Sequence, residues 1–564
     1  MTRPTAVTNV SAGSESARSG APFGGRHAVL GAAGGVAGLT LVSRALGFLR
    51  WIVQATTVGA GTVAGAYATA NQVPNVLYEV VVGGALAATV VPLLAGPVSA
   101  GRDGEVSRTT SALLALVLLV LTPLALVLAL CAGPIAGWFP VSQGVDPELQ
   151  RGLVAAFLRM FAAQVPLYGI GVVLTGVLQA HGRFTWPALT PVLSSLVVMA
   201  TYAVYGALAA GAETASPVAL QVLGWGTTAG VAALSLPLLW PAHRLGIRLR
   251  PTLRLGRGTA AKALRLGGAG VWMLVAQQVS VLAVLALARA GGSTGTVAVY
   301  QYTQAVYVLP YAVLVVPVAT VVYPRLAAAF TRDGDDARRL IARSTALVTG
   351  VAVAGGGMLL AAADGAERFF SLLADVAGMG ASLALLAPGL VGYALIYQVT
   401  RALYAADRAR GAALAAAAGW VTVALASWAA VSLLAPHGGD GVATLKGLAL
   451  GTTAGMCVAG VGLLAALACR MGVRVLAPTA RILAATLPVA AAAGAACNWL
   501  SRQAGTVIGG VTVAGVGAML TAAATLAAIC AVDREIPAAL RRRPARPGVD
   551  DRAAADEHEA QEWK

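Results

Sequence analysis

Residues 43–92 read SRALGFLRWIVQATTVGAGTVAGAYATANQVPNVLYEVVVGGALAATVVP, and this stretch decides the fold. It divides into two apolar helices joined by the tight turn Gly59-Ala60-Gly61. With the apolar residues that precede Ser43 from 28 onward, each helix is long enough to cross hydrocarbon, for which about 20 residues suffice. Yet Arg44, Arg50, Asn71, Gln72, Asn75 and Glu79 fall at depths that should be apolar. Such groups are costly inside a span and usually face a bundle interior or a wet cavity. Tyr67, Asn71, Asn75 and Glu79 recur every fourth residue, on one face of the second helix. Pro74 beside them removes a backbone donor and predicts a bend. Two bent helices, one with a cationic face and one with a polar face, predict the wall of a transport pathway.

The rest of the chain has the same character. With 58% hydrophobic and 11% charged residues and a mean hydropathy of +0.77, these 564 residues do not make an ordinary soluble protein. The fold class expected is an all-α integral membrane protein with about 14 transmembrane helices, in two six-helix lobes plus two C-terminal helices. A net charge of +16 invites a nucleic-acid reading, but most of the 39 Lys and Arg lie in alternate loops and tails. That distribution is the positive-inside pattern; it places both termini in the cytoplasm and makes nucleic acid an unwarranted partner. The five cysteines fall in or at the ends of apolar runs, where they read as small hydrophobes rather than disulfides or metal ligands.

The chain order follows. Residues 1–27 are Ser-, Gly- and Ala-rich and read as a disordered cytoplasmic tail. An N-lobe of six spans occupies 28–241, a basic cytoplasmic crossover 242–265, a C-lobe of six spans 266–468, two further spans 469–531, and a cytoplasmic tail 532–564. The lobes carry traces of a repeat. Gly61-Thr-Val-Ala opens span 2 and Gly295-Thr-Val-Ala opens span 8. Val90-Val91-Pro92-Leu93-Leu94-Ala95 closes the first and Val321-Val322-Tyr323-Pro324-Arg325-Leu326-Ala327 the second. Similar halves around a central site are a common transporter architecture.

Further polar stripes point to a cavity. Span 8 places Tyr300, Gln304, Tyr307 and Tyr311 at helical spacing, and span 10 does so with Tyr393, Tyr397, Arg401 and Tyr404. Span 4 adds Arg159, Gln164 and Tyr168, and span 7 adds Gln277 and Gln278. Tyr300 and Tyr404, near span ends, fit an interfacial belt better. Arg159 fits snorkelling as well as a cavity. The candidate substrate-binding set is Arg44, Arg50, Asn71, Asn75, Glu79, Gln304, Tyr307 and Arg401. The alternative for Arg44 is an ion pair with Glu79, and for Arg50 it is snorkelling to an interface.

Ser43-Arg44-x-Leu46-Gly47-Phe48-x-Arg50, Gly59-Ala60-Gly61, Val73-Pro74-Asn75, Gly84-Ala85 and Val91-Pro92, in that order, resemble the start of the MurJ/MviN family. These are lipid II flippases of the multidrug/oligosaccharidyl-lipid/polysaccharide exporter superfamily. Trp51, Gly65, Tyr78 and Gln304 or Ala305 stand where the family pattern has charged residues. The resemblance implies alternating-access transport of a polyprenyl-diphosphate glycolipid across the bacterial cytoplasmic membrane, for peptidoglycan synthesis. Membrane lipids are implied as surroundings, and cell-wall synthesis proteins are admitted as partners. Guanidinium binds phosphate oxygens bidentately and keeps its charge when desolvated, so Arg44 and Arg50 would hold the diphosphate. Six residues apart, they stand about 120° apart on a straight helix, so a bend is expected to converge them. No Walker loop, zincin motif or nucleophile elbow occurs, so no enzyme, cofactor or metal is expected. Two other readings stay open: a cation-coupled drug exporter of the same superfamily, and a non-transporting membrane scaffold in cell-wall assembly.

Overall fold

Without water to satisfy backbone N–H and C=O groups, an apolar run crossing a bilayer bonds internally as a helix. A computed structural model describes residues 26–80, 87–210, 215–250, 252, 259–320, 334–405 and 409–532. Among these, regular structure is helical apart from one isolated bridge, Gln143 to Ser293. Helices lie at each of the fourteen expected positions, although among the described residues only eleven or twelve are long and apolar enough to cross a membrane. The first half comprises span 1 (Arg26–Thr57), span 2 (Thr62–Tyr78, resuming at Ala87–Ser99), span 3 (Asp103–Leu130), span 4 (Pro147–Ala180), span 5 (Thr185–Ala209) and span 6 (Pro217–Arg244). The second comprises span 7 (Thr259–Gly291), span 8 (Thr296–Thr320), span 9 (Gly334–Ser371), span 10 (Met379–Leu386 and Gly389–Ala405), span 11 (Ala409–Leu434) and span 12 (Gly441–Met471). Spans 13 (Ala477–Gln503) and 14 (Val507–Val532) follow.

Among the described residues, eleven helices are long and apolar enough to cross a membrane, and a twelfth if the pair in span 10, bent by 50°, counts as one. Spans 1 and 2 are outside that count; they carry the polar residues of the opening stretch. Several helices outrun the expected bounds. Span 3 starts at Asp103, where Asp103 and Glu105 in its first turn complement the positive end of the helix dipole. Span 9 has 38 residues, roughly 57 Å at 1.5 Å per residue, and so projects beyond the hydrocarbon. Residues 1–25 and 533–564 of the tails, residues 251 and 253–258 of the crossover, Gly84-Ala85, and the second repeat's Val321–Ala327 lie outside the described residues.

Within the first half, span 1 packs on span 5, span 2 on span 4, and span 5 on span 6. Within the second, spans 11 and 12 pack face to face, joined by spans 7 and 10. Small residues let spans 11 and 12 come this close: a Cβ on Gly455 would lie 2.6 Å from the Gly419 carbonyl oxygen. Spans 13 and 14 pack on each other and on span 9, whose apolar stretch is mostly buried. An ion pair pins them there. Asp364 Oδ2 accepts Arg368 Nε at 2.7 Å and Ser501 Oγ at 2.8 Å, while the Arg368 guanidinium donates to the carbonyls of Ala504 and Arg502.

The repeat is visible in shape. Spans 2 and 8 both begin directly after their glycine, with Thr62 and Thr296, and both run through a proline. Both then widen into a π-helical turn, at Glu79–Val80 and at Tyr311–Val315. Span 2 does not break at Pro74; the irregularity comes five residues later. Span 1 is likewise uninterrupted from Arg26 to Thr57.

Candidate substrate cavity

A cavity of about 1030 Å³ lies between the two halves. Arg44, Arg50, Asn71, Asn75, Gln304 and Tyr307 all line it, together with Gln72, Tyr168 and Gln277. Arg44 is exposed and Arg50 half-buried. Both arginines reach the same space although span 1 has no break, because the cavity is broad enough to meet two sides of the helix. Among the described residues no ion pair involves Arg44, Arg50 or Glu79, so the structure does not pair Arg44 with Glu79. Two members of the predicted set are not among the lining residues, although Glu79 lies close enough to Tyr168 and Tyr393 of the wall to act on them electrostatically. Glu79 is exposed and is not on the cavity wall. Arg401 lies off the wall too, its guanidinium 3.8 Å from the centre of the Tyr397 ring.

The wall from the first half is held by a buried polar network. Tyr67 OH bonds Tyr202 OH at 2.9 Å and Thr227 Oγ1 at 3.0 Å, and Tyr202 OH donates to Gln54 Oε1 at 3.1 Å. Spans 1, 2, 5 and 6 are thereby tied through one hub, which Phe157 and Phe161 pack edge-on. Tyr168 OH donates to Asn75 Oδ1 at 3.0 Å, fixing that amide and turning its donor end elsewhere. Each such bond, buried, contributes on the order of 1 kcal/mol, and losing one partner costs more. The opposite wall is aromatic. Gln304 Nε2 donates to Tyr300 OH at 2.8 Å, and Tyr307 and Tyr393 line the cavity with ring centres 6.3 Å apart; Tyr311 and Tyr397, not among the lining residues, continue the series at 4.7 and 5.8 Å. One wall therefore offers positive charge and amides, the other aromatic rings and hydroxyls.

Hydrogen bonds joining the halves gather at one end, where the turns at 58–61, 139–146, 291–295 and 435–440 meet. Tyr302 OH donates to the Gly59 carbonyl at 2.6 Å, Gln301 Nε2 to the Ala68 carbonyl at 3.3 Å, and Gln143 Nε2 to the His437 carbonyl at 2.8 Å. Arg289 Nη1 donates to Thr69 Oγ1 and its Nε to the Pro140 carbonyl, both at 2.7 Å. Gly295, at φ +87°, lets its turn press against the Ala60 carbonyl oxygen, where a Cβ would collide. The two copies of the Gly-Thr-Val-Ala repeat thus touch at this seal. An apolar cluster drawn from both halves, including Ala55, Ala64, Ala298 and Tyr302, closes it from within.

The bundle thus encloses a charged central cavity sealed at one end. The family profile described as lipid II flippase MurJ matches residues 54–514. The chain belongs to the MurJ family. A probable lipid II flippase MurJ of Rhizobium meliloti (strain 1021) is 28% identical over 228 residues, 39% of this chain and 41% of that one. One from Haemophilus influenzae is 29% identical over 177 residues, 29% of this chain and 33% of that one. These alignments span less than half the length of the relatives. Among solved structures, a lipid II flippase MurJ in an inward closed conformation superposes with TM-score 0.67 and 16% identity, covering 89% of this chain and 99% of that one. A multidrug resistance MATE family transporter of the MOP superfamily, in an inward-facing conformation, gives TM-score 0.60 at 16% identity, covering 78% and 96%. At such identity the likeness speaks for the fold.

Several residues of this MurJ-family cavity are not in the predicted set. Gln54, Tyr202 and Thr227 complete the hub around Tyr67, and Trp420 and Ser280 contribute to the opposite wall. A lone Gln or Thr in an apolar run gives no periodic signal. Arg289 hides similarly, one arginine just before the turn Gly291-Gly292.

Proposed function

We propose that this chain moves lipid II or a related polyprenyl-diphosphate-linked glycolipid across the bacterial cytoplasmic membrane by alternating access, for cell-wall synthesis. The observation that carries the reading is the pair of guanidinium groups, Arg44 and Arg50, in a central cavity with no carboxylate bonded to either among the described residues. Two guanidinium groups facing one cavity without a counter-charge repel each other, and a diphosphate supplies the missing charge with matching geometry. The basic loops face the cytoplasm with both termini, in keeping with the positive-inside pattern, so the sealed end faces outward. The cavity then takes its substrate from the cytoplasmic side, and breaking the seal releases it outside. A cation-coupled drug exporter fits less well, because it would want more acidic groups at the cavity than Glu79, the one acid of the predicted stripe. Transport, with no catalytic step, is the whole of the activity proposed.

Complementation tests this. Expression of the chain should restore growth to a strain depleted of its lipid II flippase, and the Arg44→Ala chain, present in the membrane at equal level, should not. Failure of the unaltered chain at normal abundance would remove the reading.

A further inference from the structure

Arg289 is 2% exposed and is the largest of the fully buried side chains. It sits in the seal, and its two hydrogen bonds go to neutral acceptors, Thr69 Oγ1 and the Pro140 carbonyl. Among the described residues no carboxylate pairs with it. Burying a charge in that way is expensive unless a counter-charge is near. The carbonyl end of span 7, where Arg289 stands in the last turn, offsets part of this.

The guanidinium borders a second, much smaller cavity of about 10 Å³, room for a single small particle. Gln150 and Ser142, 4% and 6% exposed, border it too. Arg289 Nη2, Gln150 Nε2 and Ser142 Oγ have no hydrogen-bond partner among the described residues. Gln150 Oε1 is occupied by the Ser142 N–H at 3.2 Å, so the amide presents its donor end. Spans 2, 4 and 8 begin at this place, with Thr62, Gln150 and Val297 from their first turns on the cavity wall. Three helix N-termini add positive potential. The acids nearby are spoken for and absent from the wall: Asp146, Asp375 and Asp440 accept from the backbone N–H groups of Glu148, Ala377 and Ala443, and Glu148 is exposed.

We propose that this cavity binds a small monovalent anion of the halide class, held by Arg289, Gln150 and Ser142. The ligands come from both halves, Ser142 and Gln150 from the first and Arg289 from the second. The anion is therefore held only while the seal is closed, and its binding favours the closed end. The site is separate from the central cavity and independent of what that cavity transports.

The test is the melting temperature of the purified full chain in sodium gluconate, with chloride or bromide replacing gluconate at fixed sodium and ionic strength. Binding to the folded state alone predicts a Tm that climbs with the logarithm of halide concentration above Kd. Gln150→Glu, which keeps the acceptor for Ser142 and supplies the negative charge covalently, should lose the halide response. Ser142→Ala, which keeps the backbone bond, should shift the response to higher halide. A bromide anomalous peak beside Arg289 in crystals would place the ion. A Tm indifferent to halide, the result if only water fills the cavity, overturns the proposal. So does a response that Gln150→Glu retains in full, which would put the anion elsewhere, at Arg44 and Arg50 for instance.

Discussion

Replacing Gly295 by alanine is expected to loosen the sealed end. Two costs arise, and only one bears on sealing. Alanine at φ +87° is strained by about 1–2 kcal/mol, but that strain persists in any conformation that keeps the turn. The collision of the new Cβ with the Ala60 carbonyl exists only when the turns at 58–61 and 291–295 are pressed together. Such overpacking costs about 1–3 kcal/mol. At 1.4 kcal/mol per decade, the open fraction rises about fivefold to 140-fold. Ala64 lies in the seal's apolar cluster with no exposure, so a cysteine there reacts only when the end opens. In a background without the native cysteines, the rate of Ala64→Cys with a hydrophilic thiol reagent should rise by that factor when Gly295→Ala is added. An unchanged rate would refute the idea that the two turns form the seal.

Three further outcomes are expected. Cysteines at 71 and 75 should react with water-soluble thiol reagents, while one at 69, fully buried beneath Arg289, should not; equal reaction at all three would mean that the stripe is no cavity face. Asp364→Ala should lower stability by about 1–3 kcal/mol and free spans 13 and 14 for proteolysis at the 503–507 turn, since it strips Arg368 and Ser501 of their shared acceptor. Reporter fusions at Asp146 and Asp440 should read external and those at Arg338 and Arg474 internal; an external Arg338 would overturn the proposed orientation.

The positions of the helices were legible because each apolar run and each Gly-rich turn is a local signal. Span 2 shows it: Gly61 precedes its first residue, and Asn71 and Asn75 fall on the cavity as their spacing predicts. Glu79 shows where the same reasoning stops. Steps of four residues advance 400°, so a stripe drifts about 40° per step and about 120° from Tyr67 to Glu79. At the π-turn Glu79 is exposed, while Asn71 and Asn75 line the cavity. Arg401, eight residues beyond Tyr393, settles on the Tyr397 ring. Periodicity also assigns a face without saying what covers it. Tyr67 heads the polar stripe, yet Phe157, Phe161 and Tyr202 enclose it, and its role is to brace the wall. Arg289 was invisible for a different reason: its partners, at Thr69 and Pro140, are supplied by segments far away in the chain.

The central claim is that Arg44 and Arg50 hold a diphosphate, and binding of lipid II to the purified chain and its variants tests it most directly. Loss of one partner from a desolvated charged contact costs about 2–5 kcal/mol, or about 25-fold to several thousandfold in Kd. Arg44→Ala and Arg50→Ala should each weaken binding by that much at unchanged Tm, and Arg44→Lys should weaken it less, since charge survives and the fork does not. Wild-type affinity in both alanine variants would contradict the account.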